Sequence, residues 1–181
     1  MKYLLLSSAF IIISLRCLGQ ENNKPPEIPY PNNSIYIEFG GNAVFFGSLN
    51  YERVIVHKNY FYLSGRIGIG YGNFLGTSVS SMPILINGIF QIYHPFAVEV
   101  GIGISLMKVG IQDNFGDGHW IYRNEVAPTG IAGIRIQLKN GILVRADFTP
   151  FSANLEYENE PSIIHPSIGL SFGYSFGKNQ N

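Results

Sequence analysis

The sequence predicts an all-β chain, an eight-stranded antiparallel up-and-down transmembrane β-barrel, and three observations carry that prediction. In 166–176, Ile168, Leu170, Phe172, Tyr174 and Phe176 share one face, and Ser167, Gly169, Ser171, Gly173 and Ser175 share the other. A strand has period two, so one side is oily and the other has almost no side chain. Neither side carries the Lys, Glu or Thr that would solvate a sheet in water, which points to lipid outside and a crowded polar interior. The second observation is that charged residues are only 13% of a chain that is 46% hydrophobic, yet no apolar run near eighteen residues follows the N-terminus. Helical spans are excluded, and oiliness through alternation fits strands. Third, segments of about ten residues recur with turn residues between them.

The chain begins with a positive Lys2 and an apolar run, 4–15, too short to span a bilayer. This reads as a secretory signal peptide over 1–19, with cleavage after Gly19. Lipidation at Cys17 is the alternative, disfavoured because Arg16 stands where a small residue is wanted. Removing 1–19 removes the only cysteine, so the mature chain can form neither a disulfide nor a thiolate metal site. It also removes Lys2 and Arg16, leaving ten basic against twelve acidic residues, a formal charge of −2 that gives no sign of nucleic-acid binding. Residues 20–33 are rich in Pro and polar side chains and read as an extended lead-in.

The barrel is expected over 34–176, with strands at 34–42, 46–56, 60–71, 82–92, 96–108, 122–138, 142–154 and 166–176, and a polar tail at 177–181. An even count closes with both ends on one side. The second strand puts Arg53 on its apolar side near a turn. In the third, Phe61, Leu63, Ile67 and Ile69 oppose Tyr60, Tyr62, Ser64 and Arg66. The fourth is blurred, because Leu85 and Ile89 share a face with Asn87 and Gln91. In the fifth, Phe96, Val98, Val100, Ile102, Ile104 and Leu106 oppose Ala97, Glu99, Gly101, Gly103 and Ser105. Short connections at 57–59, 93–95 and 139–141 read as periplasmic turns, and longer ones at 72–81, 109–121 and 155–165 as outward loops. The first connection, around Gly40, Gly41 and Asn42, is short and breaks the pattern.

Projecting the strands sends Glu38, Glu52, Arg66, Glu99, Arg135, Arg145 and Asp147 into the lumen. An eight-stranded bore has room only for side chains, so these groups must pair or hydrogen-bond within it. Mirroring about the 57–59 turn places Glu52 beside Arg66, and Arg135 lies in diagonal reach of Asp147. The favoured reading is a lumen charge network that plugs the barrel; the alternative is an ion path. Inward Tyr60 and Tyr62 weigh against a continuous wet channel. Tyr60, Phe61, Tyr93 and Phe96 at one end, and Tyr71, Phe74, Trp120, Tyr122 and Phe151 at the other, match interfacial girdles.

Catalytic, cofactor and metal sites are not expected. His57, His94, His119 and His165 lie in or beside turns and loops, two at each end, with no ligand spacing. The segment 113–118 superficially resembles a calcium loop, but Phe115 stands where an oxygen ligand should, and no closing Glu follows. His165 and Ser167 flank Pro166 at the depth of the outer leaflet, which admits a lipid-modifying hydrolase, but no orienting acid is identifiable.

Leu49-Asn50-Tyr51-Glu52-Arg53, Phe148-Thr149-Pro150-Phe151 and the closing 166–176 stretch resemble the small eight-stranded outer-membrane β-barrel proteins, similar to OmpA and OmpX transmembrane domains in their Bacteroidota-type form. The resemblance covers about 34–176. It implies outer-membrane localisation, contact with outer-membrane lipid and insertion by the barrel-assembly machinery, with Tyr174 and Phe176 as the assembly signal. It also implies a structural or surface-contact role through loops facing an extracellular ligand whose identity is not encoded legibly, with no catalytic residue to transfer. Five residues after Phe176 depart from the family pattern.

Overall fold

A computed structural model describes residues 31–41, 47–74, 77–112, 120–153 and 163–177. The expected signal peptide, Cys17, most of the lead-in, the 113–118 segment with His119, and the end of the tail lie outside the described residues. The strands are β1 (Asn33–Gly40), β2 (Gly47–Lys58), β3 (Phe61–Phe74), β4 (Thr77–Tyr93), β5 (Phe96–Gln112), β6 (Trp120–Gln137), β7 (Ile142–Phe148), β8 (Phe151–Ala153), β9 (Ile163–His165) and β10 (Ile168–Phe176). Proline cannot donate to a ladder, and Pro150 and Pro166 fall in the gaps after β7 and β9. Thr149 N–H still donates to the Ser167 carbonyl at 2.8 Å, and Gly130 N–H to the Pro150 carbonyl at 2.9 Å. Thus β7 with β8 forms one stave and β9 with β10 another, giving eight staves.

Every stave pairs antiparallel with its sequence neighbours, and β1 pairs with β10 to close the ring. The closing register runs from Asn33 opposite Phe176 to Gly40 opposite Gly169. The start of β1, the end of β10 and the three tight turns therefore share one end, the lower. Asn59 takes a left-handed φ of 51° in the first of these turns, a conformation Asn tolerates. In the third turn Gly141 has φ 92°, and its carbonyl accepts from Ser175 N–H at 2.7 Å, tying the turn to β10. In the second, partial burial and nearby Lys139 hold His94 below the ordinary imidazole range.

The faces sort by parity. Ile37, Ile69, Ile86, Ile102, Ile134 and Phe172 are exposed on the outside, while Ser34, Ser64, Asn87, Ser105 and Ser171 are buried on the inside. An apolar exterior around a polar interior is a globular protein inverted, as a lipid solvent requires. On β4 the even residues Ile84, Ile86, Phe90 and Ile92 face outward, and Leu85, Asn87 and Ile89 are buried inside. That strand reads ambiguously because both its faces are largely apolar. On β2 a bulge between Val54 and Val56 breaks the alternation, leaving Ile55 and Val56 both exposed beyond Arg53.

Two expectations are corrected. Residues 72–81 are mostly ladder rather than loop, with Gly72 opposite Val79 and Phe74 opposite Thr77. The end of the expected 155–165 loop, Ile163–His165, is β9, paired with β8 from Phe151–His165 to Ala153–Ile163, while 155–162 lie outside the described residues. Gly72, Asn73, Thr77, Ser78 and Ser80 suit a strand that has left the hydrocarbon, where a ladder no longer needs an oily face.

The outward face carries a direct prediction. Ile102, 77% exposed midway along β5, lies at the depth where an introduced cation is most costly. Ile102→Arg is expected to destabilise the barrel by about 2–4 kcal/mol, against at most about 1 kcal/mol for an added cation near the lower turns, read from urea unfolding in lipid vesicles. Equal effects at the two depths would contradict a lipid-facing exterior.

Candidate functional site in the barrel lumen

The inward positions of β1, β2, β3, β5, β6 and β7 bring Glu38, Glu52, Arg66, Glu99, Arg135, Arg145 and Asp147 together, all at 4% exposure or less. Glu52 and Arg66 are register neighbours, as the turn geometry requires. Their ion pairs nevertheless run elsewhere. Arg66 pairs with Glu38 from β1, and its Nε donates to Asn50 Oδ1 at 3.0 Å. Glu52 reaches across the bore to Arg135, whose Nη1 donates at 2.7 Å. Arg135 stands opposite Arg145 in register, and Glu99 draws both of them in: Arg145 Nε donates to it at 2.7 Å, and Arg135 Nη1 lies at 3.5 Å. Arg145 also approaches Glu52 at 3.8 Å and Asp147 at 3.7 Å, so it is the hub.

Tyr36 completes the layer. Its ring lies between two guanidiniums, 5.4 Å from Arg66 and 4.6 Å from Arg145, a cation–π arrangement strengthened by desolvation. Gly173, opposite Tyr36 in the closing pair, leaves the space the tyrosine occupies. Gly133 and Gly169 do the same for Asp147: an added Cβ would lie 2.6 Å from Asp147 Cβ or 2.5 Å from its Oδ1. Towards the lower end, Ser34 and Ser175 hydroxyls meet at 2.7 Å, and Ser175 donates to Gln137 Oε1 at 3.0 Å.

Apolar layers bracket these charges. Val79, Met107, Val109, Ala127 and Phe151 form a buried cluster towards the upper end, and Tyr62, Ile89 and Ala97, with Val54 against them, form one below. Phe151 is therefore not part of the outer girdle; it shares parity with Arg145, Asp147 and Thr149, points inward, and stacks on His165 at 5.3 Å. Tyr60 is also corrected, being exposed in the turn while Tyr62 alone of the two is inside. Above the upper cluster, at the mouth, Arg123 Nε pairs with Glu125 at 2.9 Å.

Chemically, the central carboxylates face guanidiniums, which makes them charge partners rather than free bases. His165 is engaged with the Phe151 ring, and Ser167 contributes its backbone carbonyl to Thr149. Among the described residues no group of three or more His, Cys, Asp or Glu could hold a metal ion.

Solved structures share this architecture. The crystal structure of Ail, the attachment invasion locus protein of Yersinia pestis, matches with a TM-score of 0.51 at 13% identity, over 80% of this chain and 95% of that one. The backbone structure of Ail in a phospholipid bilayer nanodisc matches at 0.50 and 14%, over 81% and 99%. This chain has the fold of the small eight-stranded outer-membrane β-barrels. Neisserial surface protein A also aligns, with a TM-score of 0.48 and 12% identity over 83% of this chain and 98% of that one. No protein-family model matches the chain, and no curated protein matches it by sequence.

In such a barrel the exposed rings fall at two depths. Tyr51, Tyr60, Phe90, Tyr93, Phe96, Tyr174 and Phe176 ring the lower end, and Phe39, Tyr71, Tyr122 and Phe148 lie towards the upper one. Tyr174 and Phe176, singled out as assembly residues, are exposed on the outer face at the end of β10. Sequence reasoning missed Tyr36, Asn50, Asn87, Gln137, Arg123 and Glu125 as inward-facing groups. Counting by twos from Glu38, Glu52 and Arg135 would have found Tyr36, Asn50, Gln137, Arg123 and Glu125.

Proposed function

We propose that this protein is an integral outer-membrane barrel whose lumen is plugged by its own side chains, and whose role is structural or surface contact made from its upper end. The observation that carries this reading is the buried network of Glu38, Glu52, Arg66, Glu99, Arg135, Arg145 and Asp147, flanked by apolar layers. An ion entering that path would have to displace paired guanidiniums and then cross oily constrictions. The unequal wall supports the contact role: β4, β5 and β6 have 17, 17 and 18 residues against 8 in β1. Their extra length carries Trp120, Tyr122 and Arg123 to the upper rim, where aromatic and Arg side chains suit recognition. The name of Ail, a structural neighbour, speaks of attachment and invasion, in keeping with a barrel that works from its exposed end.

In planar bilayers the purified barrel is expected to give no stable single-channel steps. Large, steady steps would replace the plug with a channel. Membrane residence is tested separately: the folded chain should fractionate with membranes and shift on gels between unheated and boiled samples. A folded barrel recovered in the aqueous fraction would overturn the reading.

A further inference from the structure

On the outer wall, parity exposes a polar row that the sheet register lines up across three strands. Ser80 stands opposite Lys108, and Lys108 opposite Asn124. Directly below comes an apolar row, Met82 opposite Leu106 and Leu106 opposite Val126. The two rows line a shallow groove of about 410 Å³. Above it, Lys108 Nζ lies 4.7 Å from the centre of the Tyr122 ring, which stacks on Trp120 at 6.3 Å. Gly110 makes room for that ring, since a Cβ there would sit 2.8 Å from Tyr122 Cε1.

Depth identifies the occupant. Lys108 lies twelve residues along β5 from Phe96 in the lower girdle. Strand tilted by about 40° rises roughly 30 Å over that length, enough to cross the apolar band and reach the far headgroups. Among the described residues, Lys108 is the one cation on the outward strand faces at the upper end; Arg53 is near the lower turns, and Arg123 turns to the mouth and pairs with Glu125. Glu125 also borders the groove, but its carboxylate is engaged by Arg123, and no described carboxylate lies within ion-pair distance of Lys108. Among the described residues the groove thus offers an ammonium with no carboxylate partner, with hydroxyl and amide neighbours at headgroup depth, above a furrow of aliphatic side chains.

We propose that this groove binds a phosphate-bearing lipid of the outer leaflet, with the phosphate on Lys108, Ser80 and Asn124 and an acyl chain along Met82, Leu106 and Val126. The inference rests on the membrane reading above. Tyr122 keeps the ammonium in place through its ring face, and a desolvated boundary strengthens that contact.

Trp120, the only tryptophan in the sequence, reports on the site. Barrel in phosphatidylcholine vesicles is titrated with bis-phosphorylated lipid A while Trp120 fluorescence is followed. A saturable response is expected, weakened roughly fivefold by Lys108→Gln, the worth of one basic residue at an anionic surface, and kept by Lys108→Arg. Tyr122→Leu should weaken it as well, and dephosphorylated lipid A should give no saturable response. Identical titrations for wild type and Lys108→Gln, or full displacement by inorganic phosphate, would overturn the site. The heat-dependent gel shift of each variant is read alongside: a chain that shifts but ignores Lys108 refutes the lipid site alone, whereas one that never enters the vesicles refutes the membrane reading.

Discussion

Arg145→Met is expected to be among the most destabilising single substitutions in the barrel, costing about 3–5 kcal/mol or preventing folding outright. Arg145 engages Glu99, Glu52, Asp147 and the Tyr36 ring from one fully buried position. Without it, four central carboxylates face only Arg66 and Arg135 in a space closed by apolar layers. The check is the midpoint and slope of equilibrium urea unfolding in lipid vesicles, with the band shift showing whether folded barrel forms. Replacing the pair together, Arg145→Met with Glu99→Leu, should recover a large part of the loss, because exchanging a buried ion pair for apolar side chains of similar size is often neutral. Asp147→Asn should cost far less than Arg145→Met. Its one resolved ion pair, to Arg145, is long at 3.7 Å, and the acids of the central cluster already outnumber its guanidiniums. Comparable losses for Asp147→Asn and Arg145→Met would show that the network is not organised around Arg145.

Gly173→Leu should be comparably damaging for a different reason. A Cβ at Gly173 would lie 2.6 Å from Tyr36 Cα, and closer still to Tyr36 Cβ and the Ile35 carbonyl oxygen. Those atoms belong to β1 itself, so a rotamer change cannot relieve the clash, and the closing pair must spread. Overpacking typically costs about 1–3 kcal/mol, and the forced separation of a ladder adds lost hydrogen bonds. Gly173→Leu is therefore expected to reduce the heat-shifted folded fraction strongly, while Leu170→Ile, on the exposed face of the same strand, leaves it unchanged. A folded fraction unaltered by Gly173→Leu would mean that the inner face of β10 has slack that the packing does not show.

The eight staves were legible from the recurrence of alternating segments, and the side on which the seven central charges fall was legible from parity. Once Phe172 is outside, Ser171 and Gly173 are inside, and the same counting puts Glu99 and Arg135 in the bore. Choice of partner was not legible. Glu52 and Arg66 are adjacent in register, yet Glu52 bonds to Arg135 across the lumen, because long side chains in a narrow cylinder meet over its diameter as easily as along its wall. Phe151 misled because an aromatic at a strand end reads as a girdle residue, although its parity with Asp147 already placed it inside. Ser78, Ser80 and Gly72 look like loop because polarity, not backbone pairing, is what a sequence displays above the hydrocarbon.

Tyr36 comes from the first strand, and Arg145, whose guanidinium its ring faces, from the far side of the closing seam. Glu52 on the second strand and Arg135 on the sixth are joined across the same divide. An open sheet of these strands could keep Glu38 with Arg66 and Glu99 with Arg135 and Arg145, but it would part Glu52 from Arg135 and the Tyr36 ring from Arg145. The seam that leaves the sheet without a free edge is thus also the one that completes its charge network, so a chain that fails to close forfeits both at once.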